Sequence, residues 1–139
     1  MKAFDTDILT EILAGNPAYA ERIAQVPTAE QVVAVEEVIR GRLNTIRQAE
    51  AGKARVALDQ AYLLFEQTLD DLRELQILSF TRPAEELVNQ WRAQRIHGST
   101  HDLRIAASCV AASATLVTRN RRHFSSIPGL AVEFWEEKP

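Results

Sequence analysis

The sequence has one cysteine, few aromatic residues and no long apolar run. Of its 139 residues only 6% are aromatic, and Cys109 is the single cysteine. One cysteine cannot form an internal disulfide, which excludes a disulfide-stapled domain and suits a reducing compartment. No segment approaches the roughly 20 apolar residues of a membrane helix, and Asp5 interrupts the N-terminus before a signal-peptide core forms. We therefore expect a cytoplasmic protein with no membrane association.

The composition is that of an ordinary globular protein. Apolar residues make up 46% of the chain and charged residues 25%, which argues against wholesale disorder. A chain of this length is typical of one domain. We predict a single domain over residues 1–139, so that any protein partner would be a separate chain.

The charge is low in total but unevenly distributed. A formal net charge of −3 argues against a strongly basic nucleic-acid binder. Between Arg92 and His123, however, six arginines stand against one acid, giving a local charge of +5, whereas the rest of the chain carries −8. Three of these arginines are Arg119, Arg121 and Arg122. The cluster is either a solvated basic face or a phosphate-binding surface.

Hydrophobic patterning predicts alternating strands and helices. Strands are predicted at residues 2–5, 32–35, 77–80, 115–118 and 130–135, and helices at 7–14, 16–26, 36–49, 53–76, 83–96 and 102–114. The second strand, Val-Val-Ala-Val, is continuously apolar, as expected for a strand buried on both faces. This order predicts an α/β fold with a mostly parallel sheet.

Polar residues follow the predicted strands at their carboxyl ends. Asp5 closes the first strand, Glu37 follows the second, and Asn120 lies just beyond residue 118, while Asp102 begins a helix. In open parallel sheets ligands bind outside the carboxyl ends of the strands. Carboxylates gathered there would repel one another unless a cation joined them, and Mg²⁺ takes oxygen ligands of this kind. A bound Mg²⁺ or Mn²⁺ can activate water against a phosphodiester.

Each acid also has a purely structural explanation. Asp5 and Asp7 fit helix caps, residues 99–102 fit a capping box, and Glu37 is a favourable charge in a first helical turn. Taken singly, each structural explanation is favoured. Taken together they are not, because independent caps need not all fall at one edge of one sheet.

Four motifs, in order, resemble those of PIN-domain nucleases. They are Phe4-Asp5-Thr6-Asp7-Ile8-Leu9 (D-T-[ND]-[IV]-L), Glu37-Val38-Ile39-Arg40-Gly41 (E-L-x-x-G), Asp102-Leu103-Arg104-Ile105-Ala106-Ala107 (D-x-x-I-A-A), and Thr115-Leu116-Val117-Thr118-Arg119-Asn120 with Phe124 and Ile127-Pro128-Gly129-Leu130 (T-L-V-T-x-N…F…[IV]-P-G-L). The small single-domain type with this ending resembles the VapC toxins of type II toxin–antitoxin pairs.

The resemblance implies a three-layer α/β/α fold with a central, mostly parallel sheet. It implies an endoribonuclease that uses Mg²⁺ or Mn²⁺, acts on RNA, forms a homodimer and binds a cognate antitoxin. The residues at the catalytic and metal-binding positions are Asp5, Glu37 and Asp102. The supporting polar residues are Thr6, Asp7, Thr118 and Asn120, and the expected contacts to RNA phosphate are Arg119, Arg121 and Arg122.

Two positions depart from the family pattern. Many relatives carry an acid just before the Phe of the last motif, where this chain has His123, and Asn120 is also neutral. The fourth acidic position is therefore uncharged, which leaves open whether one or two metal ions bind. Relatives often carry Asp after the Phe of the third strand element, where this chain has Thr81.

Two other functions remain open on the sequence. A PIN-like fold with a weakened fourth acidic position could bind RNA or a protein without cutting. The acids Asp5, Glu37 and Asp102 disfavour this alternative, since a non-catalytic descendant has no need of all three. The second alternative is a housekeeping ribonuclease that has no antitoxin.

Overall fold

A four-stranded, wholly parallel sheet forms the centre of the fold. The computed structural model describes residues 1–136. The strands are β1 (Lys2–Phe4), β2 (Gln31–Val33), β3 (Thr115–Thr118) and β4 (Val132–Phe134), and their order in the sheet is β2-β1-β3-β4. In register, Phe4 faces Val33 on one side and Val117 on the other. The carboxyl ends of β1 and β3 therefore lie side by side at one edge of the sheet.

Seven α-helices accompany the sheet within the described residues. They are α1 (Thr6–Leu13), α2 (Pro17–Ala24), α3 (Glu36–Glu50), α4 (Leu58–Leu72), α5 (Arg82–Ala93), α6 (Thr100–Ala111) and α7 (Arg121–Phe124). A short 3₁₀ turn, Thr28–Glu30, precedes β2. The parallel sheet and its helices are those of the three-layer α/β/α, PIN-like class.

Both faces of the central strands are buried, because β1, β2 and β3 each carry two consecutive buried apolar residues whose side chains point to opposite faces. Ala3, Val32 and Leu116 join a core with side chains of α5 and α6. Their neighbours along the strands point to the opposite face, and Phe4 and Val117 there have no exposed surface. Small residues on α6 allow that helix to lie close to the sheet; they are Ala106, Ala107, Ser108 and Cys109, all buried.

The described chain divides into two compact units. One contains residues Met1–Ala34 with the chain from Gln76 onward, and therefore the whole sheet; the other is Val35–Leu75. The second unit is the antiparallel helix pair α3 and α4, in which Arg42 Nε donates to Thr68 Oγ1 at 2.9 Å. The single domain over residues 1–139 stays a prediction, and its last three residues lie outside the described part.

Two predicted elements differ from those observed. Residues 77–80 do not form a strand: Ile77 makes only an isolated parallel bridge with Val33. The long helix begins at Leu58 rather than residue 53, because the amides of Lys53 and Ala54 donate to Gln48 O at 2.8 and 3.2 Å and so complete the end of α3.

Within residues 1–136 no helix has the length and apolar character required to cross a bilayer.

The thiol of Cys109 is buried within α6. Burial raises its pKa to about 12, and the negative charge of Asp5 adds to the effect. Because this pKa lies above the ordinary value of 9.0, the neutral thiol stabilises the fold below pH 9, and that contribution is lost as the pH rises towards 12.

We therefore expect Cys109 to resist alkylation in the folded protein. At pH 8.5 its thiolate fraction is about 1,000-fold below that of an ordinary thiol, because the pKa is about three units higher. Iodoacetamide labelling followed by mass spectrometry should modify the protein rapidly in denaturant and hardly at all without it. Equal labelling rates in the two conditions would contradict this assignment.

Candidate functional site

Asp5 lies at the carboxyl end of β1, where the strand meets α1. Its backbone N–H donates to Val117 O at 3.0 Å, and its carboxylate is the N-cap of α1. Oδ1 accepts from Thr6 N at 2.8 Å, and Oδ2 accepts from the hydroxyl of Thr118 at 2.9 Å. Only 7% of the residue is exposed. Asp5 therefore caps a helix and is also a buried carboxylate held at the predicted edge of the sheet.

A chain of hydrogen bonds runs from Asp5 to Asp102. Thr118 Oγ1, which donates to Asp5, accepts from Asn120 N at 3.1 Å. The side chain of Asn120 caps α7 by accepting from His123 N at 3.3 Å, and its Nδ2 lies 2.9 Å from His123 Nδ1. That same Nδ1 lies 2.9 Å from Asp102 Oδ2. Three residues, Thr118, Asn120 and His123, thus connect two predicted metal-binding carboxylates that are 97 positions apart in the sequence.

Asp102 reaches this network because another residue caps its helix. Ser99 is the N-cap of α6, and its hydroxyl accepts from the backbone N–H of Asp102 at 3.1 Å. The capping box expected from the sequence thus uses only the main chain of Asp102. Its carboxylate, with 17% of the side chain exposed, contacts His123 instead.

Asp7 and Arg119 form a second polar contact at the same edge. Arg119 N donates to Asp7 Oδ2 at 3.3 Å, and the guanidinium also approaches Glu11 Oε1 at 3.5 Å. A hydrogen bond with Tyr19 is the largest cause of the raised pKa of Arg119, and the charges of Asp7 and Glu11 contribute. Arg119 is therefore a charge fixed beside the α1 acids.

The three arginines expected to contact phosphate have different surroundings. Arg121 is paired with Glu136 and lies over the ring of Phe134, 4.4 Å from its centroid. Arg122 is exposed and lines a cleft of about 320 Å³ together with Asp102 and His123. Of the three, Arg122 is the one that lines the cleft at a predicted metal-binding carboxylate. The phosphate contacts stay predictions.

Glu37 belongs to the other compact unit. It is exposed in the first turn of α3, which begins at Glu36, directly after the carboxyl end of β2 and its extension to Ala34. This is the position expected from the sequence motif. Its participation in a site with Asp5 and Asp102 stays a prediction.

The donor atoms near Asp5 and Asp102 suit a hard divalent cation. Most are carboxylate and hydroxyl oxygens, the ligand type that Mg²⁺ prefers, and His123 Nδ1 lies beside Asp102 Oδ2. Thr6 Oγ1 is buried and has no hydrogen-bond partner within residues 1–136, which leaves a polar atom beside Asp5 for a water molecule. Across those residues no group of three His, Cys, Asp or Glu side chains forms a preassembled metal cage. A cation held by one or two carboxylates, with water and substrate phosphate completing its shell, fits this arrangement.

The sequence motifs put His123 at a position expected to be acidic but did not include it among the predicted catalytic, metal-binding or supporting residues. Only the three-dimensional structure brings its imidazole against Asp102.

A curated ribonuclease aligns with nearly the whole of this chain. No family model matches the sequence. Ribonuclease VapC19 of Mycobacterium tuberculosis is 29% identical over 133 residues, covering 94% of this chain and 97% of the relative.

Solved structures show the same fold. A chain of the VapBC2 complex from Rickettsia felis, bound to a DNA fragment from its promoter, matches with a TM-score of 0.69 and 22% identity over 98% of this chain and 100% of that one. FitAcB from Neisseria gonorrhoeae gives a TM-score of 0.72 and 19% identity over 95% and 96% of the two chains. Over nearly its whole length this chain is therefore similar in sequence to ribonuclease VapC19 and in fold to chains of solved toxin–antitoxin complexes.

Proposed function

We propose that this protein is a metal-dependent endoribonuclease that acts as the toxin of a toxin–antitoxin pair. The observation that carries the proposal is the hydrogen-bonded connection between Asp5 and Asp102. It places a buried carboxylate at the end of β1 in one polar network with a carboxylate at the start of α6. The proposal places this activity in the cytoplasm.

Asp5 is the anchor of the proposed centre. Helix capping and the Thr118 hydroxyl fix both of its oxygens, so the carboxylate loses little conformational entropy when a cation binds. Asp102 is the second ligand, and Glu37 either binds the cation or orients the attacking water. A bound Mg²⁺ or Mn²⁺ supplies an activated water and stabilises the charge that develops on the phosphodiester.

The remaining predicted side chains act on the substrate and on the ligands. Thr118 and Asn120 hold the carboxylates in position, and Thr6 offers a hydroxyl to water. Arg122, on the cleft lined by Asp102, contacts the phosphate, because a guanidinium matches phosphate geometry with two parallel hydrogen bonds. Arg119 and Arg121 contribute further positive charge, partly offset by Asp7, Glu11 and Glu136. Asp7 in turn orients Arg119.

The proposed partners are an RNA substrate, a cognate antitoxin and a second copy of this chain. The antitoxin proposal rests on similarity to chains of VapBC complexes from several bacteria. Its test is to look for a small reading frame immediately upstream and to measure growth after induction of this chain with and without that frame. A housekeeping nuclease predicts no rescue from that frame.

The enzymatic proposal is tested by cleavage of RNA with purified protein. We expect end-labelled RNA to be cut in Mn²⁺ or Mg²⁺ and left intact in EDTA, with activity restored by excess metal. Mapping new RNA ends after induction in cells would then define the substrates. Cleavage that is equally fast in EDTA would refute metal dependence, and RNA binding without cleavage in either metal would favour the binding module.

A further inference from the structure

The imidazole of His123 faces a donor and an acceptor with the same nitrogen. Nδ1 lies 2.9 Å from Nδ2 of Asn120 and 2.9 Å from Oδ2 of Asp102. A neutral imidazole nitrogen carries either a proton or a lone pair. It therefore satisfies the amide or the carboxylate, and not both at once.

The position of Asn120 favours the lone pair on Nδ1. The amide oxygen of Asn120 is already oriented by its cap on His123 N, so its NH₂ group faces the ring. When this NH₂ donates to Nδ1, the nitrogen and Asp102 Oδ2 are two electron-rich atoms 2.9 Å apart with no proton between them. A cation that takes the place of the Asn120 NH₂ group at Nδ1 and also contacts Asp102 Oδ2 relieves that repulsion.

The separation of the two atoms matches that of neighbouring ligands on one metal ion. Two ligands at about 2.1 Å from an octahedral ion, at right angles, are about 3.0 Å apart. The observed distance between Nδ1 and Oδ2 is 2.9 Å. No displacement of the main chain is needed to give both atoms to one cation, provided that the Asn120 amide turns away.

The pair is accessible from solvent. His123 has 49% of its side chain exposed and lines the same cleft as Asp102 and Arg122. A hydrated cation can enter there and retain water in its other coordination positions. Arg122 stands at the same cleft, where the phosphate of a substrate would complete the shell.

We propose that His123 supplies a nitrogen ligand beside Asp102 and makes this centre selective for Mn²⁺ over Mg²⁺. The inference rests on the proposed role of Asp102 as a metal ligand. Mg²⁺ is a hard ion that demands oxygen ligands, whereas first-row transition ions accept imidazole nitrogen with increasing affinity along their series. A nitrogen ligand at His123, in place of a further oxygen ligand, therefore changes the preferred metal.

The test is a titration of chelator-treated protein with Mn²⁺ or Mg²⁺ at one fixed pH, measured by calorimetry. We expect Mn²⁺ to bind the original protein about 10-fold or more tightly than Mg²⁺, and His123→Gln to lose about 10-fold in Mn²⁺ affinity while Mg²⁺ affinity changes little. Electron spin-echo spectroscopy of bound Mn²⁺ should show coupling to an imidazole nitrogen that disappears in this variant. His123→Asp should bind Mg²⁺ more tightly than His123→Gln does.

His97→Gln is the matched control, because His97 lines the same cleft and is not part of the hydrogen-bonded chain between Asp5 and Asp102. It should keep both the Mn²⁺ affinity and the nitrogen coupling, and circular dichroism should show that every variant is folded. If His123→Gln binds Mn²⁺ as well as or better than the original protein, His123 is only an ion-pair partner of Asp102 and the inference is overturned. RNA cleavage by the original protein in that case leaves the proposed function standing, whereas binding of neither metal at millimolar concentration overturns both.

Discussion

Asp5→Asn should reduce RNA cleavage by about 100-fold or more and abolish growth inhibition. The substitution removes one negative charge from the anchor of the proposed centre and keeps its shape. Bound metal supplies several kcal/mol of transition-state stabilisation, and each 1.36 kcal/mol lost lowers the rate tenfold. Cleavage of end-labelled RNA at saturating Mn²⁺ measures this loss directly.

The same variant should remain folded. An Asn side chain can still cap α1 through its oxygen, and the hydroxyl of Thr118 can rotate to accept from the new amide. Asp70→Asn is the matched control: this acid lies in α4, is exposed and pairs only with the neighbouring Arg73 among the described contacts. It should cleave RNA at the original rate. Full activity of Asp5→Asn, with an unchanged circular dichroism spectrum, would exclude Asp5 as a catalytic residue.

Phe124→Ala should lower the free energy of unfolding by about 3–5 kcal/mol, the usual range for a buried Phe truncated to Ala. Phe124 is 1% exposed and belongs to the core with Leu103, Trp91 and Leu116. It is also the last residue of α7 and the neighbour of His123. Its loss leaves a cavity and removes the apolar anchor of the turn that presents His123 to Asp102.

Urea denaturation followed by circular dichroism measures this effect. Phe80→Ala is the control, because Phe80 is 48% exposed and exposed substitutions usually change stability by about 0.5 kcal/mol or less. A loss of about 3 kcal/mol is a large fraction of the roughly 5–15 kcal/mol that stabilises a domain. If the two variants unfold at the same urea concentration, Phe124 does not anchor the core.

Local patterns were sufficient for most of the fold. The apolar runs at β1, β2 and β3 were predicted at nearly their observed positions, because strands buried on both faces need unbroken apolar sequence. Capping residues also predict helix starts from neighbouring sequence alone. Asn16, just before Pro17, caps α2 by accepting from Ala18 N, as expected. The strand predicted at residues 77–80 is not observed. These residues have strand-like composition, but their pairing with β2 is limited to one bridge at Ile77. Pairing depends on a partner that composition does not specify.

The sequence by itself determined the parallel α/β class, the burial of both sheet faces and the set of acids at the strand ends, since periodicity and residue type act over short distances. The tertiary structure decided how those acids are held. Asp5 is both a cap and a buried carboxylate, Ser99 releases the side chain of Asp102 by capping α6 itself, and His123 meets Asp102 across a turn. These contacts join residues far apart in the chain, and their geometry follows from the register of β1 and β3 and from the packing of α6 and α7, which no local pattern encodes.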